Sequence, residues 1–284
     1  MAGASIGGWT RRIVVALLAV AVAGVGVVYA ASQRIIIRPH DIAAVAVPVP
    51  HDAGSIAEGA RLATLVGCPS CHGNGKGAVW TPVDWTVGQI APPAIARKIA
   101  GYSDAELTRL IRHGVKKDGS TLFVMASWSE RYLADDDLGR VIAWARSLKP
   151  APDDSLAESW WGPKTRWQML TGAFRQSVQT GVVAAKARPV DVGPYFVKVL
   201  CSECHDLHAA RSNEGQAVPP LAEVGAAYGD ADFLALLRTG KGLSRPDLGL
   251  MTTIAKENLH ALSDDEVMAI HRYLQREAAR SSVN

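Results

Sequence analysis

The sequence contains two copies of a five-residue pattern in which two cysteines, separated by two residues, are followed directly by a histidine. The copies are Cys68-Pro-Ser-Cys71-His72 and Cys201-Ser-Glu-Cys204-His205, and they use all four cysteines of the 284-residue chain. In this pattern the two thiols can add across the two vinyl groups of a haem, and the histidine is placed to bind one axial position of the iron. Two complete copies therefore predict two covalently bound haems.

Other roles for four cysteines explain the pattern less well. Two disulfides would fit the even number, but they give no reason for a histidine after each pair. A zinc site built from two cysteine pairs usually has its pairs close together, whereas 133 positions separate Cys68 from Cys201. A thioredoxin-like dithiol is expected within a β-α-β pattern, and none is visible near either pair. We therefore interpret all four cysteines as haem attachment residues.

The positive charge of the chain is concentrated near its N-terminus. The formal net charge is +3, but four arginines precede the first acidic residue, Asp41. Without these four, 26 of the 30 basic side chains remain against 27 acidic ones, a net charge of −1. An almost neutral main body gives no electrostatic basis for binding nucleic acid. The four residues are Arg11, Arg12, Arg34 and Arg38.

These arginines flank an uncharged segment of 19 residues, Ile13 to Ala31. About 20 apolar residues are enough to cross the hydrocarbon core of a bilayer. The alternative is a cleaved signal peptide, because Val28-Tyr29-Ala30 is an acceptable cleavage site, but 19 residues is long for a signal core. We predict a retained single-pass anchor in the inner membrane, with the first arginines in the cytoplasm and the haem motifs on the periplasmic or extracytoplasmic side.

The chain also repeats itself at an offset of 126 residues. Tyr102–Gly114 aligns with Tyr228–Gly240, and at the same offset Met125 aligns with Met251. Such self-similarity indicates two copies of one folding unit, each with one haem motif. Nearby offsets align further pairs: Pro92-Pro93 with Pro219-Pro220, Gly59 with Gly193, and Trp144 with Tyr273.

The apolar periodicity and the capping signals of both units predict an all-α fold, and no run of alternating apolar residues predicts a sheet. A helix is predicted from Asp135 to Leu148, and Gly114 is predicted to end another. Trp144 and Tyr273 are expected to pack against the first helix of their own units. Three capping boxes predict helix starts: Ser55-Ile-Ala-Glu58, Ser103-Asp-Ala-Glu106 and Ser263-Asp-Asp-Glu266.

Together these features resemble the class I cytochrome c family, in a membrane-anchored form with two haems. The resemblance covers about residues 52–149 and 191–276. It rests on the two haem motifs, the glycine-bearing helix before each, the proline after each, and a methionine followed by a last helix with an aromatic residue. It implies a small helical bundle around each haem, with Met125 and Met251 as the sixth iron ligands. A thioether ligand would raise the redox potential and close the iron to oxygen and peroxide.

The iron ligands that the resemblance implies are thus His72 with Met125 and His205 with Met251. In this family a proline carbonyl accepts the N–H of the ligand histidine, which fixes the ring and tunes its basicity. Pro92 and Pro219 are the candidates, with the choice within each adjacent pair left open. The other histidines and methionines have no counterpart in the opposite repeat, and we interpret them as surface or core residues: His113, His208, His260, His271, Met169 and Met268.

We predict four segments. Residues 1–40 form a cytoplasmic stub, the transmembrane helix and a stem, and residues 41–150 form the first haem domain. Residues 151–190 form a partly helical linker with a helical run from Thr165 to Lys186, and residues 191–284 form the second haem domain. The tryptophans of the linker are expected to pack between the two haem domains or, alternatively, to dock onto another membrane protein: Trp160, Trp161 and Trp167.

This organisation predicts an electron carrier, not an enzyme. Single electrons would pass from a membrane donor, a quinol-oxidising complex or a dehydrogenase, to a cytochrome or terminal oxidase of a respiratory chain. The chain would act alone or as a subunit of a larger complex. The principal alternative is a dihaem peroxidase, which needs one iron with an open or labile sixth position. The equivalent methionine in each repeat disfavours that alternative.

Overall fold

The computed structural model describes residues 6–80, 84–182, 184–213 and 216–281, and these residues are mainly helical, as predicted. Single turns of 3-10 helix lie at Gly73–Gly75 and Leu259–Ala261, and a π-helical turn lies at Val197–Cys201. The helices, in chain order, are α1 (Ile6–Ile36), α2 (Ala53–Leu65), α3 (Cys68–Cys71), α4 (Ile95–Ile99), α5 (Asp104–His113), α6 (Ser127–Glu130), α7 (Asp135–Ser147), α8 (Pro163–Thr171), α9 (Val192–Phe196), α10 (Leu221–Ala227), α11 (Asp230–Thr239), α12 (Leu250–Glu257) and α13 (Asp264–Ser281).

Four short strands accompany the helices, and the sequence did not predict them. β1 (Gly88–Gln89) pairs antiparallel with β2 (Trp160–Trp161), and β3 (Arg211–Asn213) pairs antiparallel with β4 (Gln216–Val218). Strands of two or three residues are too short to show an alternating pattern, which explains why the sequence gives no sign of them.

α1 extends beyond the predicted anchor at both ends. Its residues 8–27 are exposed along their whole length, and contact with the rest of the chain begins at Val28. Residues Gly8–Ile36 are long and apolar enough to cross a membrane. A free apolar helix that is held only at its C-terminal end fits a single-pass membrane anchor.

Glycines allow the first and last helices of each repeat to touch. α2 packs against α7, and a Cβ atom added to Gly59 would lie 1.9 Å from the carbonyl oxygen of Arg140 and 3.2 Å from the Cβ of Trp144. In the second repeat α9 packs against α13, and a Cβ added to Gly193 would lie 2.4 Å from the carbonyl oxygen of Ala269. Tyr273 is the next neighbour, at 3.0 Å. The predicted packing of Trp144 and Tyr273 is thereby confirmed.

Two of the three predicted capping boxes form. Ser103 and Glu106 cap α5 reciprocally, and Gly114 ends that helix with a φ of 66°. Ser263 and Glu266 make the same pair of contacts at the start of α13. The prediction for α2 was wrong: its cap is Asp52, whose carboxylate accepts the N–H of Ser55 at 2.8 Å, so that the helix begins three residues earlier.

The predicted helical run from Thr165 to Lys186 was also wrong in length. The helix there, α8, ends at Thr171, because Gly172 adopts a left-handed φ of 76°. The ring of Trp161 contacts Phe123 and Phe174, at centroid distances of 5.8 and 5.3 Å. β2 pairs with β1 and α8 packs against α1. These tryptophan-bearing elements therefore cover the first repeat and the end of α1, and do not fill a space between the two repeats.

The two repeats share one apolar core. A continuous cluster of buried side chains contains Leu62 and Leu138 from the first repeat together with Phe196 and Leu274 from the second. The last helix of each repeat contributes its inward face to this cluster. Burial of apolar side chains is the main stabilising contribution to a fold, so the repeats stabilise one another.

A polar network joins the repeats beside this core. The Asp137 side chain has no exposed surface. It accepts hydrogen bonds from the Arg188 guanidinium at 2.7 and 2.8 Å, from Arg140 at 2.7 Å and from the Tyr195 hydroxyl at 2.8 Å. Such a buried carboxylate is tolerated because several donors replace its lost water.

Arg61 extends this network to the last helix. Its guanidinium donates to Glu58 and, 205 residues along the chain, to Glu266 at 2.8 Å. Hydrogen bonding from Arg61, followed by Arg188, lowers the pKa of Glu58 to about 2 against the opposing effect of burial. Both glutamates therefore meet Arg61 as ion pairs that link α2 to α13.

Candidate haem attachment sites

The first motif forms a single helical turn, α3, directly after α2. Gly67, with a φ of 81°, reverses the chain between the two helices, so that Cys68 and Cys71 lie at the ends of one turn. No disulfide joins any of the four cysteines, which disfavours the disulfide alternative. Burial raises the pKa of Cys71 to about 11 and that of Cys201 to about 12, so both remain protonated near neutral pH. Among the described residues there is no group of three or more His, Cys, Asp or Glu side chains that could hold a metal ion.

The histidine of the first motif is fixed by a backbone carbonyl. His72 Nδ1 donates to the carbonyl oxygen of Pro93 at 2.8 Å. Of the adjacent pair between which the sequence left the choice open, Pro93 and not the candidate Pro92 holds His72; the Pro92 carbonyl instead accepts the N–H of Ala78 at 3.0 Å. Burial lowers the pKa of His72, which favours the neutral ring. With Nδ1 carrying the proton, Nε2 is the nitrogen with a free lone pair for a metal.

The second motif repeats this arrangement on different local structure. Cys201 ends the π-helical turn, and the chain continues through Cys204 to His205. His205 Nδ1 donates to the carbonyl oxygen of Pro219 at 3.0 Å, the proline that the sequence indicated. Burial lowers the pKa of His205, although its bond to Pro219 opposes this, and the charge of Arg211 lowers it further. Both motif histidines thus have the same proton position and the same free nitrogen.

The two candidate methionine ligands lie in different local structures. Met125 is in a loop, next to Val124, which has a φ of 74°. A β-branched residue rarely adopts this left-handed conformation, and such strain concentrates at functional loops. Met251 was expected in a loop but is the second residue of α12, where it packs against the core. Ligation by Met125 and Met251 stays a prediction.

The remaining histidines and methionines have structural contacts that agree with the roles predicted for them. Met169 is buried and Met268 packs against the core. His113 Nδ1 donates to the carbonyl of Gln179 at 3.0 Å. His271 has no exposed surface, and its ring lies 2.8 Å from an oxygen of Asp230.

The two motifs meet at one surface between the repeats. The amide of Asn258 donates to the carbonyl of Thr64 at 2.9 Å, and its oxygen accepts from Ser70, inside the first motif, at 3.4 Å. In the other direction Glu203, inside the second motif, interacts with the side chains of Trp128 and Ser129 on α6, the helix that follows Met125. Each motif therefore contacts the repeat that carries the other one.

Sequence reasoning missed two acidic residues at this surface. Glu130 is 4% exposed, and its Oε2 has no hydrogen-bond partner in the part of the chain that the structure describes. Burial raises its pKa to about 8, with a second contribution from the charge of Glu203. Burial also raises the pKa of Glu203. Glu203 could have been noticed as a charged residue within a haem motif, whereas Glu130 carries no sequence signal.

Comparison with known proteins agrees with the geometry of the first motif. The family model described as "Cytochrome C oxidase, cbb3-type, subunit III" matches residues 54–144, which contain Cys68, Cys71, His72 and Met125. The chain contains a cytochrome c domain. The cofactor of this family is a covalently bound haem c, and the first motif supplies what it needs: two free thiols on one turn and a fixed neutral imidazole.

Several cytochrome subunits of dehydrogenases are similar to much of the chain. The gluconate 2-dehydrogenase cytochrome c subunit of Pantoea cypripedii is 27% identical over 259 residues, which cover 78% of this chain and 59% of that protein. The fructose dehydrogenase cytochrome subunit of Gluconobacter japonicus is 24% identical over 268 residues, 80% of this chain and 53% of that protein. The cytochrome c subunit of a quinone-type alcohol dehydrogenase of Gluconobacter oxydans is 28% identical over 172 residues, 54% of this chain and 35% of that protein.

This chain therefore spans between about half and three-fifths of the length of the first two relatives. All three relatives are named as cytochrome subunits of dehydrogenases.

Proposed function

We propose that this chain is a membrane-anchored dihaem cytochrome c that serves as the electron-transfer subunit of a membrane dehydrogenase. The observation that carries the proposal is the equivalence of the two motifs. Each has two cysteines outside any disulfide and a histidine whose Nδ1 donates to a proline carbonyl, at 2.8 Å for His72 and 3.0 Å for His205. The alignment with the gluconate 2-dehydrogenase subunit covers 78% of the chain, a stretch that must include both motifs.

The residues of each site have separate roles in a redox centre. The cysteines attach the haem, whose iron supplies the one-electron chemistry. The proline carbonyl holds the imidazole proton on Nδ1, so that the ring keeps one orientation and one free nitrogen. Met125 and Met251 would close the sixth position and favour the reduced iron. Buried apolar side chains around each motif exclude water and lower the reorganisation that accompanies electron transfer.

The contacts between the motifs support electron transfer within the chain. Asn258 and Glu203 each bridge from one repeat to the motif or loop of the other. Such contacts support an arrangement in which the two haems would be neighbours, so that an electron could pass between them without diffusion of the protein. The donor would be a dehydrogenase that oxidises a small hydroxylated substrate, as the relatives' names suggest. The acceptor would be a quinone, a cytochrome or a terminal oxidase.

The haem count tests this proposal directly. Pyridine haemochrome spectra combined with peptide mass should give two covalent haems per chain. Cys201→Ser with Cys204→Ser should give one, and so should Cys68→Ser with Cys71→Ser. One haem in the unaltered protein would overturn the dihaem assignment. Purification from mild detergent should bring down a dehydrogenase that reduces the cytochrome when its substrate is added, and rapid turnover of peroxide would favour the peroxidase alternative instead.

A further inference from the structure

Three exposed tryptophans lie on neighbouring segments that cover the first repeat. Trp85 is 75% exposed, Trp167 is 57% exposed and Trp160 is 38% exposed. Backbone hydrogen bonds hold their segments together: β2, which includes Trp160, pairs with β1, and the N–H of Lys164 donates to the carbonyl of Thr86 at 2.8 Å. Large apolar side chains clustered in this way usually mark an interaction site. We call Trp85, Trp160, Lys164 and Trp167 the tryptophan surface.

The tryptophan surface is attached to the end of the membrane helix. Arg166, beside Trp167 on α8, donates to the Ser32 hydroxyl at 3.0 Å and to the Gln33 side chain at 3.3 Å. Its guanidinium also lies 4.5 Å from the centroid of the Tyr29 ring. Ser32 is completely buried by these neighbours. α8 therefore has a fixed position relative to the last turns of α1.

The length of α1 determines the level at which these contacts lie. A helix rises about 1.5 Å per residue, so about 20 residues cross the hydrocarbon core of about 30 Å. Counted from Ile13, the first residue after the arginine pair, twenty residues end at Ser32. The contacts of Arg166 with Tyr29, Ser32 and Gln33 thus lie where the helix leaves the hydrocarbon. α8 must then lie at the level of the lipid headgroups.

We propose that the tryptophan surface is a second membrane contact, which rests in the phospholipid headgroup layer beside α1. The proposal rests on the membrane anchor of the proposed function. Tryptophan suits this layer because its ring is apolar while its N–H can bond to water or headgroups. Lys164 and Arg34 are both exposed and are available to lipid phosphates. The contact would hold the first haem site at a fixed height and orientation above the bilayer.

Site-specific photocrosslinking in the intact membrane tests this proposal. Benzoylphenylalanine is introduced into the full-length chain at Trp85, at Trp167 or at one of two reference positions. Each variant is irradiated in vesicles of phosphatidylethanolamine and phosphatidylglycerol. The adducts are then identified by mass spectrometry. Leu17, 64% exposed and inside the apolar segment of α1, is the reference for a residue within the bilayer. Leu243, 56% exposed in the second repeat, is the reference for an exposed side chain away from α1. An unchanged haem content shows that each variant has folded.

Phospholipid adducts at Trp85 and Trp167 should exceed those at Leu243 by about tenfold and approach those at Leu17, because only side chains held at the bilayer meet lipid. Lipid adducts at Leu17 alone would overturn the tryptophan surface while leaving the anchor intact. No lipid adduct at Leu17 would overturn the anchor itself. The same variants are also irradiated in native membranes. If the probes at Trp85 and Trp167 then form adducts with another polypeptide in place of lipid, the surface binds a protein partner and the lipid contact is overturned.

Discussion

Glu130 is a buried carboxylic acid near the two cysteines of the first motif and near Glu203 of the second motif. Burial and the neighbouring Glu203 raise its pKa to about 8, from the ordinary value of 4.5. Its ionisation also acts on the thiols of Cys68 and Cys71, whose pKa values are raised first by burial and then by the charge of Glu130. The first haem would therefore be attached beside a group that changes its charge near neutral pH.

The first prediction is that Glu130→Gln removes a pH dependence of stability. The folded protein keeps a proton on Glu130 that the unfolded chain releases above pH 4.5, so the free energy of unfolding falls as the pH rises from about 4.5 to about 8. The slope approaches about 1.4 kcal/mol per pH unit for one proton. Denaturant unfolding at pH 5, 7 and 9 measures it. The variant should lose this slope, whereas Glu223→Gln, at an exposed carboxylate, should keep it. Equal slopes in all three proteins would contradict the prediction.

The second prediction concerns the sixth ligands. Met125→Ala should abolish the weak far-red band of thioether-ligated ferric iron for one haem, and Met251→Ala for the other. Each variant should bind carbon monoxide at one iron and have a lower potential there, because the thioether stabilises reduced iron. Met169→Ala is the control, since Met169 is a buried packing residue and its loss should change stability but not the spectrum. Retention of the full band after Met251→Ala would remove the α12 residue from the ligand set.

For single residues, the sequence identifies those that belong to a motif with a defined spacing. It misses those whose role depends on residues that are close in space but distant in the chain. The cysteines and histidines follow from the motif alone. Pro92 and Pro93 are adjacent prolines that the sequence cannot distinguish. Only the direction of each carbonyl in the structure shows that Pro93 accepts the hydrogen bond of His72. Glu130 is one acid among 27, and nothing in its local sequence indicates that α5 and the π-helical turn pack against its helix, α6.

Helix pairs set the spacing of the elements, and glycine makes the closest of these pairs possible. The third prediction is that Gly59→Ala separates α2 from α7, because its Cβ would lie 1.9 Å from the carbonyl oxygen of Arg140. A backbone atom cannot move aside as a side chain does, so the loss of stability should be about 3 kcal/mol or more. Gly54→Ala, in the same helix, meets only the Asp52 carboxylate at 3.3 Å and should cost little. Similar unfolding midpoints for the two variants would show that the helices can shift.

The caps of α5 and α2 show where the local sequence is enough to predict the end of a helix. The signals at Ser103 and Gly114 involve groups within the same few residues, and both formed as predicted. Ser55 carries an equally good local signal, but Asp52 lies three residues upstream and caps the helix first, while Glu58 is drawn away by Arg61 and Arg188. A cap is therefore predictable only where no distant charge competes for its side chain.

The molecule as a whole has one core where the repeat pattern predicts two. The repeats were expected to be independent domains with the linker tryptophans between them. Instead Leu62 and Phe196 belong to one buried cluster, and the linker covers the outside of the first repeat. A repeat in sequence indicates the internal fold of each unit, since that depends on contacts within the unit. It gives no information about how the units pack, because those contacts use residues that differ between them.

The last prediction follows from that shared core. The two repeats should unfold in one transition, with haem absorbance and circular dichroism changing at the same denaturant concentration. Arg188→Ala should lower the free energy of unfolding by about 3 kcal/mol, because Asp137 is fully buried and loses its bidentate partner. Arg175→Ala, at an exposed position, should leave the midpoint unchanged. Two separate transitions, with only one shifted by Arg188→Ala, would mean that the repeats are energetically independent. A single transition that moves as a unit would mean that neither haem site is stable without the other, so a perturbation at one motif is felt at both.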